Sequence, residues 1–177
     1  ASMLSYLFLV AAILVVLVVL VSGVTAMMKH GLQETATPSL WMLVPIITLL
    51  GIEWVRMEHG LAHNFGGESN GGDNFQMLSL LVSLQAVVLA IGYRVMTLNG
   101  YLANYLHGDH KSPVAFGLVC PGVAFFVLSV FWWHIGLVNT GVVTQFSGVY
   151  WGGMAVIMTI QIATIYALVR LTNNLLR

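Results

Sequence analysis

Charged residues are scarce in this sequence, and their scarcity indicates the class of protein. Aspartate, glutamate, lysine and arginine make up 7% of the 177 residues, whereas soluble domains carry roughly 25%. Mean hydropathy is +0.92 and 59% of the residues are hydrophobic, which is typical of a polytopic membrane protein. The lipid bilayer is therefore its expected partner. Six basic residues balance six acidic ones, so there is no basic surface of the kind that binds nucleic acid.

Cysteine and the common catalytic motifs are also lacking. The single cysteine, Cys120, excludes an internal disulfide. The sequence has no CxxC pair, no Asn-x-Ser/Thr acceptor and no phosphate-binding glycine loop. It offers no combination of serine, histidine and acid for hydrolysis, and no acidic pair for general acid–base chemistry. We therefore predict that the protein is not an enzyme.

Long uncharged runs are what the sequence does contain. No charged residue lies between Met3 and Met28, a run longer than the ~20 residues that cross the hydrocarbon core. The run lacks the basic start of a signal peptide, so we interpret it as a true span. Short linkers separate the runs, so residues 1–177 form a single transmembrane domain. The predicted fold is an all-α membrane protein with five spans, at Leu4–Met28, Pro38–Leu61, Phe75–Met96, Pro113–Val138 and Gly148–Leu171.

The basic residues predict an orientation in the membrane. With five spans, Arg56 alone falls on one face and the other basic residues fall on the opposite face. Because cytoplasmic loops carry an excess of lysine and arginine, we expect the N-terminus outside and the C-terminus in the cytoplasm, in a bacterial inner membrane. The residues expected on the cytoplasmic face are Lys29, Arg94, Lys111, Arg170 and Arg177.

A repeat relates the second and fourth spans. A shift of 76 residues places Pro45 on Pro121 and Gly60 on Gly136, whereas the third and fifth spans contain no proline. Proline inside a membrane helix is tolerated where the freed carbonyl meets protein or water. The pattern predicts a repeated hairpin of one proline-kinked inner helix and one straight outer helix. The first span resembles an unpaired outer helix, which favours a C-terminal portion of a longer or split protein.

The segments around these prolines carry a family resemblance. "TPSLWMLVPIITLLGI" and "SPVAFGLVCPGVAFFVLSVF" resemble the inner helices of the tellurite-resistance and dicarboxylate transporter family, which includes the plant slow anion channels. That family has ten helices in five hairpins, and its inner helices line a pore for anions. The resemblance implies that these five spans match the last five, and that partner helices complete the pore. It also implies an aromatic plug near the proline, for which Phe116, Phe125 and Phe126 are candidates.

Two opposite charges lie towards the outer end of the second span. Glu53 and Arg56 are three residues apart, on one side of a helix, so they are able to pair. Ionisable groups in a span usually face the protein interior or water. One interpretation is a structural ion pair near the interface; the other is a charged vestibule in which Arg56 attracts anions.

Histidines near the span ends suggest a different chemistry. His59 and His63 have the i, i+4 spacing that places two imidazoles on one metal, and His134 is expected on the same membrane face as a third ligand. Interfacial histidines that only solvate a helix end are commoner. Haem or copper is therefore the alternative cofactor, and these histidines depart from the pattern of the transporter family.

The repeated hairpin decides the predicted function. We predict an anion channel or organic-anion transporter without a cofactor, whose pore is lined by the second and fourth spans and conducts small inorganic or organic anions. The alternative is a small integral subunit of a redox or metal-dependent complex, or a purely accessory anchor. Gly148 and Gly152 form a GxxxG motif that allows close contact within the protein or with another subunit, and a homo-oligomer is one expected state.

Overall fold

A computed structural model describes residues 2–30, 34–66, 71–108 and 111–176 of the chain. Arg177, which contributes to the predicted orientation, lies outside these residues. The described chain is helical and contains no strand. Five of its helical stretches are long and apolar enough to cross a membrane, which confirms the predicted number of spans. They are Leu4–Met27, Thr37–Phe65, Gly71–Leu98, Pro113–Val138 and Gly148–Leu176.

The helices depart from uniform α-geometry in two of the spans. Four shorter segments accompany the five α-helices: 3₁₀ segments at Glu34–Met42 and Pro113–Leu118, and π-helical segments at Leu102–His107 and Trp132–Val138. The fourth span therefore changes from 3₁₀ to α to π-helix along its length. The α-helices are α1 (Ser2–His30), α2 (Leu43–Phe65), α3 (Gly71–Leu98), α4 (Val119–Phe131) and α5 (Gly148–Leu176).

The two mid-span prolines lie where these changes of helix type occur. Pro45 is the third residue of α2 and Pro121 is the third residue of α4, and each helix follows a 3₁₀ segment. The first four N–H groups of an α-helix have no α-helical acceptor, so proline at this position removes no α-helical hydrogen bond. The structure thus shows a change from 3₁₀ to α-helix at each proline where the sequence predicted a kink within one helix.

Several helix ends extend beyond the predicted spans. The third span begins at Gly71 and the fifth ends at Leu176, whereas the hydropathy pattern predicted Phe75 and Leu171. Hydropathy marks the part of a helix inside the hydrocarbon, and the backbone continues to form hydrogen bonds in the interfacial region. α2 ends where Gly66 adopts a left-handed conformation with φ 68°, which is a common helix terminator.

Glycines set the close approaches between spans. Gly51 of α2 meets Leu128 of α4, where an added Cβ would lie 2.7 Å from the leucine Cδ1. On α4, Gly122 accommodates Thr164 of α5, and on α5, Gly153 accommodates the Trp133 ring. Together with the hydrogen bond from Thr48 to the Ala124 carbonyl oxygen, these contacts show α2 and α4 running parallel and α5 running antiparallel to α4. α3 runs antiparallel to α2, and therefore also to α4, because Gln85 bonds to Val44 while Leu81 lies beside Gly51.

Three apolar clusters fill the spaces between α2, α3, α4 and α5. The central cluster joins α2, α3 and α4, and one further cluster lies at each end of the bundle. The members of the central cluster are Ile47, Val55, Leu78, Leu81 and Leu128. The cluster near the end of α3 contains Met96, Tyr101, Tyr105, Ala115, Leu118 and Leu171. The cluster at the opposite end contains Trp133, Val143, Tyr150 and Ile157.

α1 is the least buried of the five helices. It packs against α2, and no residue of its 18-residue apolar window is buried inside the protein. Its surface is apolar all round, as expected for a helix whose main neighbour is lipid. α1 is therefore an appendage of the four-helix bundle formed by α2 to α5.

Candidate functional site

A buried polar cluster joins α2, α3 and α4. The side-chain amide Nε2 of Gln85 donates to the Val44 carbonyl oxygen at 2.8 Å and to Thr48 Oγ1 at 2.7 Å. Thr48 Oγ1 in turn lies 3.0 Å from the carbonyl oxygen of Ala124 and 3.1 Å from that of Val44. Gln85 is completely buried and Thr48 is 5% exposed. We call Gln85, Thr48 and these two carbonyls the Gln85 cluster.

The Gln85 cluster lies beside the change of helix type in the second span. Pro45 follows Val44, so the carbonyl that Gln85 binds belongs to the residue just before the proline. Interhelical hydrogen bonds in membrane proteins contribute about 0.6 kcal/mol on average and at most about 1.7 kcal/mol. The cluster therefore aligns α2, α3 and α4 with one another and makes a modest contribution to the free energy of unfolding. The other amide atom, Gln85 Oε1, is buried and has no hydrogen-bond partner within the described chain.

The second hairpin repeats the glutamine but not the cluster. Gln161 of α5 follows Gln85 by 76 residues, the same shift that relates the two prolines. Ala124 replaces Thr48 at the corresponding position, so no hydroxyl is available, and Gln161 Oε1 is buried without a hydrogen-bond partner in the described chain. The two hairpins thus share a residue spacing but differ in their contacts. Neither glutamine was predicted from the sequence, although the shift of 76 residues was a signal for both.

The three phenylalanines predicted near the plug occupy different environments. Phe126 packs against the cluster of Trp133 and Tyr150, and Phe116 packs against the cluster of Tyr101 and Leu118. Phe125 is half-buried and belongs to none of the three clusters. The structure does not gather the three rings at one point of the fourth span.

One side of α4 is not covered by another helix of the described chain. Cys120 and Val123 are exposed there, although α2, α3 and α5 cover the remaining sides of the helix. At 100° per residue, Phe125 lies about 140° around the helix from Cys120 and about 160° from Val123, whereas Phe126 lies about 60° beyond Val123 and packs against the cluster of Trp133 and Tyr150. We call the surface formed by Cys120 and Val123 the open side of α4. Neither Phe125 nor Phe126 belongs to it.

Glu53 and Arg56 border a cavity between α1 and α2. The two side chains do not form an ion pair or a hydrogen bond with each other or with another described residue. The side of α2 that carries them lies opposite the buried residues Val44, Gly51 and Val55. The cavity has a volume of about 270 Å³. It is lined by Ser5, Tyr6, Glu53, Arg56, Met57, Gly60, Leu61 and Asn64.

The histidines predicted as metal ligands are not assembled. His59 is exposed, and its Nδ1 lies 2.8 Å from the Val55 carbonyl oxygen of its own helix. His63 is exposed in the last turn of α2, and the His134 ring packs edge-on to Tyr150 with a centroid distance of 5.8 Å. In the described chain, no three histidine, cysteine or acidic side chains are arranged to hold a metal ion.

The glycine pair predicted for helix contact faces outward. A Cβ added to Gly148 or Gly152 would meet no atom within 4 Å, whereas neighbouring Gly153 is covered by Trp133. Within the described chain, the close helix contact of α5 therefore uses Gly153 and not the GxxxG pair.

Comparison of the chain with protein-family models, curated proteins and solved structures finds no match. The resemblance to the tellurite-resistance and dicarboxylate transporter family therefore rests on the two proline-containing segments alone.

Proposed function

We propose that this protein is an integral membrane channel or carrier for small inorganic or organic anions, with the second and fourth spans beside its pathway. The observation that carries the proposal is the matching interruption of these two spans. Each changes from a 3₁₀ segment to an α-helix two residues before a proline, at Pro45 and Pro121.

Interrupted helices at membrane depth have a physical requirement. Non-α-helical backbone is tolerated in the hydrocarbon only where protein or a water-filled cavity surrounds it. In transporters, proline- or glycine-interrupted spans at corresponding positions of two repeats mark the substrate pathway. The two interrupted spans here run parallel and contact each other at Thr48 and Ala124, which supports a shared role.

The open side of α4 is the part of this structure that fits a pathway wall. Cys120 lies directly before Pro121 and is exposed, together with Val123. A wall of this kind is nearly apolar, which suits weakly selective passage of monovalent anions with gating by dewetting. Helices of a second copy or of a partner would complete the pathway. The orientation predicted from the basic residues, with the C-terminus in the cytoplasm, belongs to the same proposal.

The single cysteine provides the test. The full chain is reconstituted in liposomes, and chloride and nitrate fluxes are measured before and after treatment with a charged, membrane-impermeant methanethiosulfonate. A thiol reacts quickly only where water allows it to ionise, so a water-lined open side predicts rapid modification of Cys120 and a lower flux afterwards. A Cys120→Ser variant is expected to conduct and to be insensitive to the reagent.

A cysteine on a lipid-facing surface is the matched control. Ile165 of α5 is 49% exposed and lies within about one residue of the depth of Cys120, because neighbouring Thr164 packs against Gly122 in the antiparallel pair of helices. In the Cys120→Ser background, Ile165→Cys is expected to react at least about ten times more slowly than Cys120. Equal, slow reaction at both positions would place the open side of α4 against lipid and overturn the proposal, as would a chain that conducts no anion.

A further inference from the structure

The cavity between α1 and α2 holds two opposite charges that do not neutralise each other directly. Glu53 and Arg56 lie one turn apart on the α1-facing side of α2, and both border the cavity. At the bilayer centre an ionised arginine or acidic side chain costs about 2.5–3.5 kcal/mol on insertion scales, and such residues are normally paired or solvated. A polar occupant of the cavity would supply the partner that neither side chain finds within the described chain.

The depth of the cavity indicates where that occupant comes from. The second span has 29 residues, whereas about 20 cross the hydrocarbon, so about four residues extend beyond each boundary. Arg56 precedes the helix end at Phe65 by about 14 Å at 1.5 Å per residue. Asn64 and Gly60 then lie near the lipid headgroups, and Arg56 lies about one to two turns below the boundary.

The α2 residues that line the cavity form a row that leads from the headgroup region towards the bilayer centre. We call this row the polar lane. Asn64, Gly60, Arg56 and Glu53 follow one another along one side of α2. Tyr6, at the start of α1, faces this lane from the other wall. Because α1 packs against α2 and none of its apolar window is buried inside the protein, the lane opens towards the bilayer.

The charges define the chemistry of the occupant. A guanidinium forms paired hydrogen bonds with a phosphate, and a carboxylate accepts hydrogen bonds from an ammonium group. An anion alone would be repelled by Glu53 and a cation alone by Arg56, so a zwitterion matches both. The volume of about 270 Å³ is below the roughly 300–1,000 Å³ of sites for drug-sized ligands, which suits a small head group.

We propose that this cavity binds the phosphoethanolamine head group of a phospholipid, with the phosphate on Arg56 and the ammonium on Glu53. Ser5 and Tyr6 supply hydroxyl donors from α1. The bound lipid then fills the gap between α1 and the bundle, which explains how α1 keeps its position with few protein contacts. The proposal is independent of anion transport, since the cavity lies on the side of α2 away from α4.

The test measures lipids retained by the intact chain. The protein is released from bicelles containing equal amounts of phosphatidylethanolamine, phosphatidylcholine and phosphatidylglycerol, and bound lipids are counted by native mass spectrometry. We expect phosphatidylethanolamine to be retained at least about fivefold over the other two. Phosphatidylcholine carries no ammonium N–H donor, and phosphatidylglycerol carries no cation. Soluble phosphoethanolamine, added as a competitor, distinguishes recognition of the head group alone from recognition that also needs the acyl chains.

Variants that remove one charge at a time keep the test specific. Glu53→Gln is nearly isosteric and is expected to abolish the preference for phosphatidylethanolamine over phosphatidylglycerol, whereas Arg56→Gln is expected to lower retention of both. Arg94→Gln, an exposed arginine of α3, is the control and is expected to change nothing. Equal retention of the three lipids by the wild-type chain, or an unchanged preference in folded Glu53→Gln, would overturn the proposal. The helical circular dichroism signal verifies that each variant is folded.

Discussion

Two adjacent glycines of α5 allow one strict test of the packing between α4 and α5. At Gly153, a Cβ would overlap the indole ring of Trp133, whereas at Gly152 it would meet no atom within 4 Å. The change from glycine to alanine gives the same gain in helix propensity at both positions. Any difference in stability between Gly153→Ala and Gly152→Ala therefore reports the contact with Trp133.

The expected magnitude follows from two opposing effects. Replacing glycine by alanine in a helix interior stabilises by about 1 kcal/mol, and overpacking a filled contact costs about 1–3 kcal/mol. Trp133 is only 8% exposed, so its ring has little room to move away. We expect Gly152→Ala to be neutral or slightly stabilising and Gly153→Ala to be less stable than Gly152→Ala by about 1–3 kcal/mol.

The assay is reversible unfolding in mixed micelles with increasing dodecyl sulfate, followed by circular dichroism. A third variant, Gly153→Ala with Trp133→Leu, removes the ring and is expected to recover part of the loss, with a coupling energy of about 0.5–3 kcal/mol. If Gly152→Ala and Gly153→Ala have the same stability within about 0.5 kcal/mol, the described packing of α5 against α4 is incorrect.

Two further variants examine the Gln85 cluster and the predicted aromatic plug. Thr48→Val is expected to lower stability by about 1–2 kcal/mol because it removes two interhelical hydrogen bonds; Thr97→Val is the control, since Thr97 bonds only to Tyr93 of its own helix. The same unfolding assay measures both, and equal stability of the two variants would contradict the cluster. Phe126→Ala is expected to lower stability by about 2 kcal/mol, because its half-buried ring packs against α5, and to leave chloride flux unchanged; a higher flux would instead assign the plug to Phe126.

The number of spans was predictable from the sequence because charge is excluded from the hydrocarbon. Runs such as Met3 to Met28 admit no other interpretation once charged residues are this rare. The ends of the helices were not predictable in the same way. Gly71 starts α3 four residues before Phe75, because backbone hydrogen bonds continue through polar residues that hydropathy assigns to a loop.

The spacing of the two prolines along the sequence does not predict their structural role. Pro45 and Pro121 have a clear repeat in the sequence, but their effect is set by where the α-helix begins. In the structure both lie in a first turn, where the missing N–H removes no α-helical bond. The preceding 3₁₀ segments are short, and nothing in their composition distinguishes them from α-helix.

Contacts between side chains in the candidate site were also not predictable from sequence spacing. Glu53 and Arg56 have the spacing of a helical ion pair, yet both border the cavity beside α1 without pairing. Spacing along one helix predicts which residues share a side, but the neighbouring helix decides what that side meets. The position of α1 was not predictable, because an apolar helix without a patterned face carries no signal for its partner.

The hydroxyl of Thr48 distinguishes the α2–α3 pair from the α4–α5 pair. Thr48 joins Gln85 to the Ala124 carbonyl and so fixes α2 to both α3 and α4. At the corresponding place in the second hairpin, Ala124 offers Gln161 only a methyl group. The α2–α3 pair therefore has side-chain hydrogen bonds in addition to its apolar contacts, whereas α5 packs on α4 through the shape complementarity of Gly122 with Thr164 and of Gly153 with Trp133. Contacts of this kind have no directional preference, so any movement within the bundle is expected between α5 and α4 and not within the Gln85 cluster.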